Sequence, residues 1–414
     1  MQRVLISIIK NCLIISSSLL ICLPAFAFET TKVLPKGVRN LTIRTVDTSI
    51  KDKNNDVGET VPVSDPLQKG LTFDKIIRGE KGILKDLAVV GRDTVGMEDD
   101  TELGSFTADL RGDIRVIAPI FAYGISEKLT FGMAIPYYQA ATKIEVGFQK
   151  NENADLFIQR LHDLQLTQGA IEAGAKLNNA VGRLQDKLEE NGYQRLDQWQ
   201  QSGYGDLTVL LKYLALDQER IKAAATVGLN APTGRVDNPD ILIDIPFGDG
   251  TWDAFTQLTF DFPLYTDELL FNQYTRYRYQ FEAQRDIRLI TEAEAIEGEK
   301  KRVSYKMGDV LTSGVSLQWE PSFGLVTGAA AEYLNKYGDR YDVDNPEVDA
   351  KYRNETSQIA WRQNYLLGYS TLPAFKRKSF PAPLKATLMY STLIRDGVSL
   401  PKNELYQLDI SLFF

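Results

Sequence analysis

The chain has 414 residues, with 47 Lys and Arg against 55 Asp and Glu, one histidine and two cysteines. Its formal net charge of −8 argues against nucleic acid as a partner. A soluble protein with 43% hydrophobic residues should show long buried helices or continuous apolar strands, and neither pattern follows residue 27. Repeated alternation with 19 Tyr and 19 Phe is instead typical of a transmembrane barrel, because only one face of each strand meets lipid.

The first 27 residues have the layout of a secretory signal peptide. Arg3 and Lys10 form a basic start, Cys12–Leu23 is an apolar and serine-rich stretch, and Pro24–Ala27 supplies an A-x-A cleavage pattern. A retained membrane anchor is the alternative, but the apolar stretch is short for a spanning helix. Cleavage after Ala27 would change the net charge from −8 to −10. It would also remove both cysteines, which excludes disulfides and cysteine-based metal sites.

Residues 28–414 are predicted to form one all-β domain, a transmembrane antiparallel β-barrel of about twelve strands, with fourteen as the alternative. Twelve segments alternate between apolar and polar residues over about ten or more positions, the length that a tilted strand needs to cross a bilayer. They are 38–49, 105–123, 128–148, 204–216, 220–232, 251–264, 268–284, 308–320, 323–336, 356–371, 383–395 and 403–414. Only helices and closed barrels satisfy their backbone groups in lipid, and no candidate for a spanning helix follows the signal peptide.

The connections between these segments alternate in length. Short turns are predicted at Ser126-Glu127, Asp217-Gln218-Glu219, Tyr265-Thr266-Asp267 and Pro321-Ser322, and longer links at 50–104, 149–203, 233–250, 285–307, 337–355 and 396–402. Short periplasmic turns opposite long external loops are typical of outer-membrane barrels. An even number of strands then places both termini on the periplasmic side. Pro373–Pro383 departs from this pattern, since it is long and basic for a periplasmic turn.

Two of the long links contain patterns that are not strand-like. In 50–104, which is acidic and Gly-rich, a helix is predicted near Phe73–Leu87. In 149–203, apolar residues recur at the spacings of three and four that mark amphipathic helices. They are Phe157, Leu161, Leu164, Leu177, Val181, Leu184 and Leu188. This link is predicted to form an external helical hairpin that caps the barrel or folds into its mouth. A surface lid with no transport role is the alternative.

The predicted seventh strand, 268–284, shows two different faces. One row of side chains is aromatic, and the other is charged or amide-bearing and includes Arg276 and Arg278. A basic residue on the lipid face costs roughly 2–4 kcal/mol at the bilayer midplane, so the charged row should face the lumen. The same parity gives the lumen-lining candidates, which are Asp109, Arg111, Asp113, Arg115, Asp206, Lys212, Asp253, Arg276, Arg278, Glu282, Glu320, Arg362, Lys385 and Asp409. It places the opposite rows towards lipid or its interface, namely Leu110, Ile114, Val116 and Ile120 on the second strand and Trp361, Tyr365 and Tyr369 on the tenth.

The last predicted strand, 403–414, alternates an apolar row with a polar row. The apolar row is Tyr406, Leu408, Ile410 and Leu412, and the polar row is Gln407, Asp409 and Ser411. Phe413 is the one exception to the period of two. A final strand that ends on an aromatic residue resembles those of bacterial outer-membrane barrels, where it is the signal for the insertion machinery. We therefore predict that Phe414 is the assembly signal and that the protein resides in the outer membrane of a Gram-negative bacterium.

Four segments in the central third of the chain resemble a known family in their order and hairpin spacing. They are Leu129–Tyr137, Gly203–Tyr213, Gly228–Gly234 and Gly248–Asp253. Together they resemble the outer-membrane channel family of the meta-pathway of phenol degradation, a relative of the FadL-type transporters of hydrophobic compounds. The resemblance implies an outer-membrane channel that takes up small hydrophobic or aromatic compounds. Two features depart from the family: the sequence shows no N-terminal plug of the FadL kind, and the predicted lumen is heavily charged.

The sequence contains little of the chemistry that an enzyme needs. His162, the sole histidine, lies in the helical link, and there is no nucleotide-binding loop, metal-ligand cluster or cysteine nucleophile in the mature sequence. We interpret Asp99-Asp100 and Glu189-Glu190 as solvated loop acids. We therefore predict no enzyme activity, no cofactor and no metal. The predicted partners are outer-membrane lipid, the barrel-insertion machinery and a small-molecule solute, without nucleic acid.

The predicted function is passive uptake of small molecules, including hydrophobic or aromatic compounds, through the barrel. Arg276 and Arg278 should face acids of other strands, for which the candidates are Asp109, Asp113, Asp253 and Glu320. Such charged rows would set any ion or substrate preference. The alternative is a non-transporting structural or surface-interaction barrel whose lumen is closed by these ion pairs and by the helical loop.

Overall fold

A computed structural model describes residues 28–54, 59–65, 68, 70–79, 83–264, 268–288, 300–343, 346–396 and 401–414. The predicted signal peptide and the predicted turn Tyr265-Thr266-Asp267 lie outside the described residues. Within the described residues, no helix is both long enough and apolar enough to cross a membrane.

The described chain consists mainly of strands. These are β1 (Arg39–Asn54), β2 (Thr60–Pro62), β3 (Gly70–Thr72), β4 (Glu102–Ser126), β5 (Leu129–Ala134), β6 (Tyr137–Lys150), β7 (Gln198–Tyr204), β8 (Leu207–Asp217), β9 (Lys222–Ala231), β10 (Asp253–Pro263), β11 (Leu269–Gln280), β12 (Ala283–Arg288), β13 (Lys300–Lys306), β14 (Val310–Trp319), β15 (Leu325–Lys336), β16 (Arg340–Tyr341), β17 (Gln358–Ser370), β18 (Leu384–Asp396) and β19 (Pro401–Phe413). The helices are α1 (Phe73–Gly79), α2 (Ile83–Asp93), α3 (Glu152–Asp163), α4 (Thr167–Asn178), α5 (Ala180–Glu190), α6 (Pro346–Thr356) and α7 (Leu372–Lys376).

Twelve antiparallel wall strands close into a barrel, as the sequence predicts. Each wall strand pairs with its neighbours in chain order, and β1 pairs with both β19 and β4, which joins the two ends of the sheet. Two wall strands are interrupted, one between β5 and β6 and one between β7 and β8. The first interruption contains Pro136, which has no N–H to contribute to a strand ladder. The predicted fold class is therefore confirmed.

The side chains of β19 show how the wall is divided. Tyr406, Leu408, Ile410 and Leu412 are exposed on the outer face, whereas Leu405 and Gln407 of the opposite row are buried in the interior. The outer faces of β17 and β18 continue this apolar surface with Tyr365, Leu367 and Leu388. A continuous apolar outer belt on a closed barrel is the surface that lipid covers. Short turns lie at one end of the wall, here called the short-turn end, and the opposite end is called the long-loop end.

The predicted seventh strand 268–284 is too long by four residues at its C-terminal end. The wall strand β11 ends at Gln280, and the chain then leaves the barrel to form a separate sheet in which β13 lies between β12 and β16. Ile287, Val303 and Tyr305 belong to the apolar core of this external sheet. Glu282 consequently lies outside the wall strands. It is exposed and accepts a hydrogen bond from Ser304 of β13.

The helical links pack against each other beyond the barrel wall. The predicted helix near Phe73–Leu87 is two helices, α1 and α2, and the predicted helical hairpin in 149–203 is three helices, α3 to α5. Asn151 caps α3 because its side chain accepts from the backbone N–H groups of residues 153 and 154. Phe73 of α1 meets Phe157 of α3 edge to face, with ring centroids 5.1 Å apart. The two long links thus share one core cluster.

The parity predicted for the second strand is reversed. Asp109, Arg111, Asp113 and Arg115 of β4 are exposed on the outer face, while Ile114 and Val116 point into the barrel. Arg115 pairs with Asp47 of β1 across the outside of the wall at 2.6 Å, and Arg111 pairs with Asp113 at 2.8 Å. None of the four charged residues therefore lies in the lumen, and Ile114 and Val116 do not face lipid.

The reason for this reversal is what fills the barrel at its long-loop end. Inward apolar residues of β1, β4 and β6 pack against α5 and against an inserted loop, residues 232–252, in a single core cluster. Leu184 and Leu188 come from α5, and Ile245 and Phe247 come from the inserted loop. Because the inside of the wall is apolar here and its outside is solvated, the charged row of β4 turns outward.

Candidate functional site

The barrel interior is the candidate site, because side chains from strands that are not neighbours meet across it. Lys385 of β18 contacts Glu320, which follows β14, although β15 and β17 stand between these strands. Arg362 of β17 donates to Asn403 of β19 at 2.9 Å, and β18 stands between them. Such contacts can form only through the lumen. The residues that the sequence predicts for the lumen and that point inward are Lys212, Asp253, Arg276, Arg278, Glu320, Arg362, Lys385 and Asp409.

An N-terminal segment, residues 28–38, lies inside the barrel at the short-turn end. Thr31 donates to Asp261 of β10 through both its backbone N–H (2.8 Å) and its hydroxyl (2.7 Å). The backbone N–H of Leu34 donates to the hydroxyl of Thr130 on β5 at 2.8 Å. Inward residues of strands around the barrel therefore hold this segment. The presence of this segment inside the barrel differs from the expectation from the sequence, which shows no N-terminal plug of the FadL kind.

Glu29 of the N-terminal segment occupies the centre of a basic site. Its Oε1 lies 3.1 Å from Nη2 of Arg276 on β11, and its Oε2 lies 3.9 Å from Nζ of Lys212 on β8. Arg276 also donates to Gln257 of β10 at 2.7 Å, and its guanidinium lies 5.3 Å from the ring centroid of Phe255. All three charged side chains are largely buried, so the two cations and the carboxylate stabilise one another where water is scarce.

Phe28, the preceding residue, lies in an apolar site on the other side of the lumen. Its ring packs against the apolar cluster of Ala330 of β15 and Met389 of β18, against which Leu366 of β17 also packs. Gly328 of β15 leaves room for the ring, since a Cβ at that position would lie 2.9 Å from Cε1 of Phe28. A side chain on residue 328 would therefore displace Phe28. The N-terminal segment thus presents an aromatic ring and a carboxylate to two separate surfaces of the barrel wall.

A second ionic site lies at the short-turn end. Glu320 accepts from Lys32 of the N-terminal segment at 2.6 Å and from Lys385 of β18 at 2.7 Å. Burial by itself would raise the pKa of Glu320, but the two ammonium groups outweigh burial and lower the pKa to about 2. Glu320 is therefore ionised throughout the physiological pH range and ties the N-terminal segment to two wall strands.

Three acids surround the base of the inserted loop 232–252. Asp206, between β7 and β8, accepts from the backbone N–H groups of Gly234 (2.9 Å) and Asp249 (3.3 Å). Asp253 of β10 accepts from Asn230 at 3.3 Å, and both Asp249 and Asp253 are attracted by Arg278 of β11. Burial raises the pKa of Asp249 despite its hydrogen bonds from Thr251. Asp206 therefore serves to anchor the loop, and Arg278 partly compensates the buried acids.

The tip of the inserted loop is fastened to the external sheet and to the helical link. Asp240 accepts from Arg288 of β12 and from Lys300 of β13, each at 2.9 Å. Burial opposes ionisation of Asp240, but these two cations hold its pKa below the ordinary value. Arg288 also lies 4.2 Å over the ring of Tyr193, which follows α5. The inserted loop is consequently held at both its base and its tip.

Several interior residues have no counterpart among the sequence candidates. They are Glu29, Thr31, Lys32, Tyr274, Glu332 and Asn364. The first three precede the first strand, where no periodicity assigns a side chain to a face. Tyr274, which donates to Glu332 of β15, belongs to the inward row of β11, which the sequence predicts from its charged and amide-bearing members alone. An uncharged inward residue could have been found from the same parity.

Comparison with solved structures finds the same architecture. An outer-membrane channel from Pseudomonas putida F1 superposes with a TM-score of 0.53 at 11% identity, over 94% of this chain and 99% of that one. The chain has the fold of an outer-membrane channel. More distant matches are the translocator domain of the autotransporter NalP from Neisseria meningitidis (TM-score 0.37, 11% identity, 92% and 90% covered) and a FadL homologue from Pseudomonas aeruginosa (0.34, 8%, 94% and 93%).

The similarity to the P. putida channel agrees with the sequence resemblance at the level of the fold. No protein-family model matches the sequence, and no curated protein does. At 11% identity, the similarity to the P. putida channel concerns the architecture alone.

Proposed function

We propose that the protein is an outer-membrane channel for the passive uptake of small molecules, including hydrophobic or aromatic compounds. The observation that carries this proposal is the set of charged side chains that meet across the lumen. The barrel around this lumen is closed, and its outer surface is apolar. Glu29, Lys212 and Arg276 stand at the centre of the lumen. Side chains at such a position set the preference of a pore for ions and solutes. Hydrophobic and aromatic compounds are included among the proposed solutes because of the family resemblance of the sequence.

The environment of the protein follows from the same proposal. A signal peptide cleaved after Ala27 would deliver the chain to the periplasm, and the insertion machinery would recognise the final strand ending at Phe414. The short-turn end then faces the periplasm, and lipid covers the apolar belt. We infer that the protein is not an enzyme. This assignment is supported by a lumen whose charged groups are engaged with one another rather than arranged as a nucleophile with a base.

Two inserted segments would control the path through the barrel. The N-terminal segment 28–38 occupies the short-turn end, and the inserted loop 232–252 occupies the long-loop end. Solutes of low mass would pass beside them or when one of them moves. Conductance in planar bilayers and swelling of liposomes with sugars of increasing size measure this passage directly. We expect discrete conductance steps and uptake of the smallest solutes by the wild-type protein.

The informative variant removes the N-terminal segment as an obstacle. Deletion of residues 29–34 from the mature chain should raise the conductance and extend the size limit of solutes that enter liposomes. Deletion within the exposed link at 95–100, outside the barrel, is the matched control and should change neither quantity. If neither the wild type nor the 29–34 deletion variant shows conductance steps or solute uptake, the result would contradict the proposal and favour a structural barrel with a plugged lumen.

A further inference from the structure

The link between β17 and β18, residues 371–383, carries three consecutive cations and no acid, and is here called the basic turn. It is the link that departs from the short turns at its end of the barrel. Lys376, Arg377 and Lys378 are all exposed. Neither Lys376 nor Lys378 forms an ion pair with any residue that the structure describes. The charge of the basic turn is therefore free to contact an anionic partner.

The backbone of the basic turn is held in a defined conformation. The hydroxyl of Thr371 accepts from the backbone N–H of Leu384 at 2.8 Å, which closes the base of the turn. Nη1 of Arg377 donates to the carbonyl of Ser322 at 3.0 Å and ties the turn to its neighbour between β14 and β15. Lys378 has a φ of +59°, a left-handed conformation that a residue other than glycine keeps only where the surrounding structure imposes it. The three cations therefore project from an ordered backbone.

The basic turn begins where the apolar outer belt ends. Trp319, Phe323 and Tyr369 are all exposed at this end of the wall. The rings of Trp319 and Phe323 meet edge to face with centroids 6.0 Å apart, and the hydroxyl of Tyr369 donates to the carbonyl of Phe323 at 3.0 Å. Aromatic residues at the rim of a transmembrane barrel mark the level of the lipid headgroups. The basic turn starts two residues after Tyr369, which is about 7 Å along a strand.

Two aromatic rings accompany the cations within the turn. Phe375 and Phe380 stand on either side of the three cations and are 42% and 41% exposed. A soluble acidic partner would need the charges alone. Exposed rings beside Lys and Arg are instead typical of segments that lie on a membrane, where the rings enter the interface and the cations meet phosphate groups. The combination favours a lipid over a soluble partner.

We propose that the basic turn binds anionic phospholipid of the leaflet at the short-turn end. The lipid phosphate contacts the three cations, and the rings of Phe375 and Phe380 lie against the glycerol and the upper acyl chains. Anionic lipid is preferred because a zwitterionic headgroup carries an ammonium of its own. This inference rests on the orientation given with the proposed function, and it does not depend on the passage of solutes.

Native mass spectrometry of the full mature chain, released from detergent, tests this with two lipids of identical acyl chains. The wild type should bind phosphatidylglycerol about tenfold or more tightly than phosphatidylcholine, since each cation near an anionic headgroup contributes about fivefold. The triple variant Lys376→Gln, Arg377→Gln, Lys378→Gln should lose this preference. Its affinity for phosphatidylcholine should stay unchanged. Equal affinity of the wild type for the two lipids would refute the proposal.

A matched control removes the same types of residue at the other end of the barrel. Lys300→Gln, Lys301→Gln and Arg302→Gln on β13 delete two lysines and one arginine from the external sheet. This variant should keep the preference for phosphatidylglycerol. Heat-modifiable migration verifies that each variant is folded. A loss as large as that of the basic-turn variant would show that only overall charge matters, which overturns the proposal.

A milder variant keeps the inference testable if the triple variant does not assemble. Lys376→Gln with Lys378→Gln leaves the contact between Arg377 and Ser322 in place. It should weaken the binding of phosphatidylglycerol by about fivefold or more. An unchanged affinity would contradict the proposed site.

The rings are tested separately from the charges. Phe375→Ala with Phe380→Ala should weaken the binding of both lipids by a similar factor and leave the preference between them intact. Unchanged affinity for both lipids would identify a soluble anionic molecule, rather than lipid, as the partner. Conductance of the wild type decides the channel function independently, because a closed barrel would still show the lipid preference.

Discussion

Nζ of Lys385 lies 2.7 Å from Oε1 of Glu320, although two wall strands separate β18 from β14 in the barrel. The contact bridges the lumen at the short-turn end, and Lys32 joins it from the N-terminal segment. A single carboxylate thus connects two distant wall strands and the N-terminal segment. Its ionisation links the stability of this end of the barrel to pH.

Glu320→Gln should lower the free energy of unfolding in detergent by about 1–3 kcal/mol, because it weakens two charge-assisted hydrogen bonds that are partly solvated. The folded pKa of about 2 lies below the ordinary value, so this stability is present above about pH 4.3 and is lost as the pH falls towards 2. Unfolding curves of wild type and variant should converge in that interval. Glu127→Gln, in an exposed turn, is the control, and equal effects of the two substitutions would refute this role for Glu320.

Replacement of Arg276 and Arg278 by alanine should shift the ion selectivity of the channel towards cations, since Glu29 would keep only Lys212 as a basic neighbour and Asp249 and Asp253 would lose Arg278. Reversal potentials in planar bilayers with a salt gradient measure this shift. A loss of stability of about 3 kcal/mol or more without a change in selectivity would indicate a dry, plugged interior instead.

Arg111→Ala with Arg115→Ala is the matched control for that double variant. These two arginines alternate along β4 in the same way, but they lie on the outer face and pair with Asp113 and Asp47. We expect no change in reversal potential. A shift in reversal potential as large as that of the Arg276 and Arg278 variant would indicate that the charged row of β4 faces the lumen.

Two acids of the inserted loop should respond in opposite directions to the loss of their charge. Asp249→Asn should raise the free energy of unfolding at neutral pH by about 1 kcal/mol, because burial raises the pKa of this carboxylate and an amide retains the acceptor for Thr251. With a raised folded pKa, the penalty in the wild type grows as the pH rises above the ordinary value near 4, so the variant should lose this dependence.

Asp240→Asn should instead destabilise the protein at neutral pH, since the pKa of Asp240 is held down by Arg288 and Lys300. About 1 kcal/mol is expected for this partly exposed pair of contacts. Chemical unfolding at several pH values compares the two variants. Effects of the same sign for Asp249→Asn and Asp240→Asn would show that charge is not what holds the loop.

Deletion of Phe414 should reduce the amount of assembled protein in the outer membrane. Its backbone N–H donates to Arg39 at 2.9 Å and its carbonyl accepts from Arg39 at 2.7 Å, so the residue completes the ladder between β19 and β1 where the barrel closes. Phe414→Tyr retains both the backbone and an aromatic ring and should assemble normally. Heat-modifiable migration of membrane fractions measures assembly, and wild-type levels of the truncated protein would count against the role of Phe414.

The sequence by itself determined the number of wall strands and the faces of most of them. The strict alternation on β19, β17 and β11 arises because one face of each strand meets lipid. A charged residue such as Arg276 is costly on that face, so its row must point inward. Turn lengths determined which strands pair, because antiparallel neighbours in chain order need only a short connection. These features follow from local pattern, and the structure reproduces them.

Only the tertiary structure decided what fills the barrel. The row of Asp109 to Arg115 turns outward because α5 and the loop around Ile245 make the interior apolar at that height, and alternation alone cannot tell which of two faces is the wetter. Glu29 reaches Arg276 from a segment that has no period at all. A strand pattern reports that two faces differ, but contacts between residues far apart in the chain determine which medium each face meets.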